Sequence, residues 1–82
     1  MVKPQDRQKS QSERENLRVA EGISHMENGE NDQAIECFTD TIRLNPGCAR
    51  AYHLRAEIYS KTGKWALAER DIAKARQAEA RQ

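Results

Sequence analysis

Lys61-Thr62-Gly63-Lys64 is the segment that looks most like a chemical motif, because Gly-Lys closes phosphate-binding loops and Lys-Thr-Gly accompanies some nucleophilic serines. Context removes both readings. A phosphate loop needs a glycine five residues before its Gly-Lys, where Ile58 stands, and the triplet needs a Ser-x-x-Lys nucleophile that the chain lacks. Lys61 to Lys64 therefore reads as an interhelical turn. His25, His53, Cys37 and Cys48 are of zinc-ligand type, but no two have the short spacing that pre-forms a site. His25 is expected to pack inside a hairpin and Cys37, beside Phe38, to serve as a small packing residue. No catalytic residue, metal or cofactor is expected.

The elements around these residues are helical. Apolar residues recur at Leu17, Ala20, Ile23 and Met26, on one stripe of a first helix that Ser12 is expected to open with Glu15 in a capping box. Ser10 with Glu13 is the alternative cap. Asn28-Gly29 ends this helix, because glycine tolerates the left-handed terminus. Asn31 or Asp32 is expected to cap a second helix to about Leu44, with Ala34, Ile35, Phe38 and Ile42 inward, ended by Asn45-Pro46-Gly47. A third helix runs from about Ala49 to Thr62, with Ala51, Leu54, Arg55, Ile58 and Tyr59 in period, and Gly63 breaks it. A fourth starts near Lys64 and carries Trp65, Ala68, Ile72, Ala75 and Ala78. No segment has strand periodicity.

Composition limits the domain count and the partners. With 82 residues and 37% hydrophobic content, the chain can build one small core. The charged side chains nearly cancel, to a net +1, so bulk charge does not select nucleic acid or an anionic membrane as a partner. Residues 1–11 are polar, with Lys3, Asp6, Arg7 and Lys9 and no aromatic side chain for base stacking, and read as a flexible tail. Neither a signal-peptide core nor a spanning stretch is visible, and two cysteines make a poor disulfide framework, so a cytoplasmic location is expected.

Gly29 and Ala34 return as Gly63 and Ala68 at an offset of 34 residues, and Pro46 closes the first unit. With these residues the stretch from Glu15 to the C-terminus resembles the tetratricopeptide repeat family, as unit one (15–48) and unit two (49–82). Gly22, Ala34, Phe38 and Pro46 match in the first unit; Tyr52, Ala56, Tyr59, Ala68 and Ile72 match in the second. Arg18, Glu21, His25 and Arg55 depart from the pattern, and Ala80 replaces the usual proline. The resemblance implies an all-α fold: two tandem helix-turn-helix hairpins, four antiparallel helices in a short right-handed solenoid, within a domain spanning 12–82. Gly22 or Ala56 and Ala34 or Ala68 allow close helix crossings, while Phe38, Tyr59, Trp65 and Ile72 are expected to fill the spaces between them.

The resemblance also implies a function, protein binding by a scaffold, with the first helix of each unit lining a concave groove. Carried over by position, that groove comprises Asn16, Val19, Ile23, Met26, Glu27, Arg50, His53, Leu54, Glu57 and Lys61. A partner peptide or helix is expected to lay apolar side chains on Val19, Ile23 and Met26, with Arg50, His53 and Lys61 meeting its carboxylates. One subgroup of the family clamps chaperone C-terminal carboxylates with lysine and asparagine side chains. Val19, Ile23 and Leu54 occupy those positions here and cannot donate, which argues against that ligand. About three repeats are generally needed for independent stability, so two look incomplete. Ile58 and Leu67 are expected on the surface where a third unit would pack. The alternative role is therefore assembly, a homodimer formed through that C-terminal end.

Overall fold

The computed structural model describes residues 10–81, which form four helices: α1 (Gln11–Glu27), α2 (Asn31–Leu44), α3 (Ala49–Lys61) and α4 (Trp65–Ala80). α1 packs along α2 and α3 along α4, giving two hairpins, and α2 lies against α3 to join them. Among the described residues there is no strand. The expected tail of residues 1–11 falls largely outside the described residues. Its last two members, Ser10 and Gln11, belong to the helical fold.

The cap of α1 is Ser10 and not Ser12. The Ser10 hydroxyl accepts from the Glu13 amide at 3.2 Å and the Glu13 carboxylate accepts from the Ser10 amide at 3.3 Å, a complete capping box. Glu15 is free for another partner and accepts from the Asn45 side-chain amide at 2.9 Å. The Gln11 side chain donates to the Leu44 carbonyl at 2.6 Å, so α1 is tied to the turn that ends α2.

Both hairpin turns use one device. Gly29 and Gly63 have φ of 77° and 78°, a conformation nearly closed to other residues. The Glu30 amide donates to the His25 carbonyl and the Lys64 amide to the Tyr59 carbonyl, each at 2.8 Å, while each glycine amide reaches the carbonyl three residues back. These are Schellman closures. Lys61 to Lys64 is thus a helix terminus. The residue flanking α2 is Glu30, with no side-chain cap, so neither Asn31 nor Asp32 has the expected role. Satisfying the end of α1 through the Glu30 amide moves the start of α2 one residue early.

The principal core lies between the hairpins. Ala34, Phe38, Ala51 and Ile58 are fully buried, with Ile23, Met26, Ile35, Ile42, Cys48 and Leu54 against them. Gly22 lies under the Phe38 ring, where a Cβ would stand 2.5 Å from Phe38 Cε1. The second hairpin buries Ala56, Ala68, Ala75 and Ala78 instead. Two further sequence expectations fail. Ile58, assigned to the surface, is completely buried, because α2 covers that side of α3. Trp65, assigned to the core, is 63% exposed at the first position of α4, which among the described residues packs against α3 alone. Leu67 is 39% exposed, as the period suggests.

Candidate functional site

The groove positions lie on α1 and α3, which touch each other. Spacings of three, four and seven residues place Asn16, Ile23 and Glu27 on one stripe of α1 and Arg50, His53, Glu57 and Lys61 on one stripe of α3. All of these except Ile23 are exposed. Ile23, Met26 and Leu54 are half-buried against the core. Val19 is only 3% exposed and is removed from the contact surface. The resulting face is a polar rim around an apolar floor that the protein itself partly uses.

Its charges are partly committed. Lys61 Nζ lies 3.3 Å from Glu57, one helical turn away, an exposed pair that contributes well under about 1 kcal/mol. His53 Nε2 lies 3.3 Å from Glu79 of α4. Arg50 forms no ion pair among the described residues.

A second polar constellation escaped the sequence reading. Arg55 donates from Nε and Nη2 to both Asp71 carboxylate oxygens at 2.7 Å, and from Nη1 to Thr39 Oγ1 at 3.1 Å. Its guanidinium carbon lies 5.9 Å from the ring centroids of Tyr52 and Tyr59. The bond to Asp71 raises the Arg55 pKa further above its ordinary value, so the cation persists at every accessible pH. This clasp joins α2, α3 and α4 and floors a cleft of about 360 Å³, rimmed by Ile42, Leu67, Arg70 and Lys74. The available signal was Arg55 standing at an apolar repeat position with Asp71 at a buried one.

In the first hairpin, Arg18 bonds Glu21 at 3.0 Å and also bonds Asp40, and its Nη1 lies 3.5 Å from Cys37 Sγ. The hydrogen bond to Asp40 is the main cause holding Arg18 in its charged form. Cys37 is buried, as its packing role requires, and burial pushes its thiol pKa up despite the nearby guanidinium, the reverse of what a reactive thiol needs. His25 is half-buried and its Nδ1 lies 2.8 Å from Glu30 Oε1 beside the turn. Among the described residues, no three His, Cys, Asp or Glu side chains converge for a metal ion, and no helix is long and apolar enough to cross a membrane.

Paired hairpins with a small residue at each helix crossing and a glycine at each turn define a tandem helical-repeat protein. A tetratricopeptide repeat family model matches residues 19–81. The chain belongs to the tetratricopeptide repeat family, whose members generally act as protein-interaction modules.

Proposed function

We propose that this chain is an interaction adaptor that takes a peptide or helix of a partner protein on the face shared by α1 and α3. The supporting observation is the exposed set Asn16, Glu27, Arg50, His53, Glu57 and Lys61 around the half-buried Ile23, Met26 and Leu54. Such a surface offers a few oriented polar groups about an apolar strip, the arrangement that receives an amphipathic segment. Arg50, the cation there without a salt-bridge partner among the described residues, selects a ligand with a carboxylate at that point. With Val19 buried, the apolar side chains of the ligand meet Ile23 and Met26.

Assembly through the C-terminal end is the weaker reading. Where α2 turns Ile35, Thr39 and Ile42 to α3, the corresponding positions of α4 carry Glu69, Ala73 and Arg76, all exposed. A polar outer face of this kind suits a capping helix. The test is selection from a random peptide library, followed by titration of the selected peptides against Arg50→Glu. At least about tenfold weaker binding is expected, with circular dichroism unchanged. Equal affinity for the variant rejects the groove. Arg50 is preferred over Ile23 for this test, because Ile23 also packs on the core.

A further inference from the structure

The two hairpins carry opposite charge at equivalent positions. Beside Cys37 stands Arg18, its Nη1 3.5 Å from Sγ, which bonds both Glu21 and Asp40, and Glu36 immediately precedes Cys37 on α2. One repeat later, around Asp71, stand Arg55, Arg70 and Lys74, lining the cleft. Glu21 corresponds to Arg55, Glu36 to Arg70, Asp40 to Lys74 and Cys37 to Asp71. Three acids with two arginines, Arg18 and Arg43, have become three bases with one aspartate. Arg70 and Lys74 have no ion-pair partner among the described residues, and neither has Glu36. Leu67, 39% exposed, adds an apolar contact at the rim of the basic cleft.

A surface that is acidic at one repeat and basic at the next is complementary to itself after a two-fold rotation. The acidic patch of one copy then meets the basic cleft of its partner, and the same contact recurs on the other side. We infer that the occupant of the Arg55–Arg70–Lys74 cleft is a second copy of this chain, bound through Glu21, Glu36 and Asp40 in an antiparallel homodimer. The cleft shares no lining residue with the α1–α3 groove, so the groove remains available to a partner. Asp40 meets Arg18 and also Arg43 at 3.2 Å, Glu21 meets Arg18, and Arg55 is held by Asp71, so both patches are partly neutralised and the dimer is salt-sensitive and weak.

The experiment is sedimentation equilibrium of the whole chain over a wide concentration range, with three proteins. Wild type is expected to double its mass at low salt and to lose the dimer between about 0.01 M and about 1 M salt, as the screening length falls from about 30 to about 3 Å. Arg70→Glu/Lys74→Glu, with two acidic patches, and Glu21→Lys/Glu36→Lys, with two basic ones, are each expected to dimerise at least about tenfold more weakly. Mixed in equal amounts, the two variants are expected to recover the wild-type dimer mass, a readout that general destabilisation does not reproduce. A wild type that stays monomeric at low salt, or a mixture that stays monomeric, overturns the inference. So does a dimer unaffected by either reversal. A monomer that binds an acidic peptide in the cleft assigns it to another occupant and equally overturns it.

Discussion

The first hairpin is closed by an aromatic ring on a glycine, the second by an arginine on an aspartate. Phe38 is fully buried over Gly22, while its counterpart Ile72 is half-buried, and buried Ala56 stands at the position equivalent to Gly22. In charge the order reverses. Arg18 and Asp40 keep about a third of their side-chain surface exposed, whereas Arg55 and Asp71 are 17% and 5% exposed. One backbone repeat is therefore stabilised in two ways, by apolar volume where another helix covers the hairpin and by an ion pair with tyrosine walls where less apolar surface can be covered. The second hairpin is the last of the described chain, and α4 has a solvent side along its whole length.

The largest test of this difference is truncation at the shared position. Phe38→Ala is expected to cost about 3–5 kcal/mol, because it empties a fully buried aromatic site. Ile72→Ala should cost about 1–2 kcal/mol, as a half-buried side chain loses less transfer energy and leaves a site open to water. Urea unfolding of both variants checks the order. Equal losses would show that apolar burial does not distinguish the hairpins.

The ion pairs give the next contrast. Asp71→Ala leaves the Arg55 guanidinium partly buried between Tyr52 and Tyr59 without its carboxylate, at an expected cost of about 3 kcal/mol. Asp40→Ala releases a more exposed Arg18 that still reaches Glu21, and should cost at most about 1 kcal/mol. Removing both clasp partners, as Arg55→Met/Asp71→Leu, should recover much of the first loss, since most of it comes from the orphaned charge. Thermal melts compared at one salt concentration decide among these outcomes.

Helix existence, turn glycines and the small residues at crossings were legible in the sequence because each depends on local chemistry or on a fixed repeat spacing. Gly29 and Gly63 are required by their positive φ whatever surrounds them. What was not legible depends on which face has a neighbour. Ile58 and Trp65 both carry the helical period, yet α2 covers the first while the second stays 63% exposed. Val19 shares a stripe with exposed residues and is nevertheless buried, which no period reveals. The Arg55–Asp71 clasp joins residues 16 apart on two helices, so its pairing is a property of hairpin register and not of either helix alone.

The finest contrast is the exchange of one crossing for the other. Gly22→Ala alone forces a Cβ to within 2.5 Å of the Phe38 ring, and an overpacked crossing of this kind is expected to cost about 1–3 kcal/mol even though alanine is the better helix former. Phe38→Ile alone leaves unfilled volume above a glycine. Together they install the Ala56 and Ile72 combination of the second hairpin in the first, and the smaller side chain at 38 makes room for the methyl group at 22. The double variant should therefore be more stable than the sum of the single losses, by roughly 0.5–2 kcal/mol in a double-mutant cycle. Strict additivity would mean that the Phe38 ring yields to the methyl group, and that the glycine at 22 is not set by this contact.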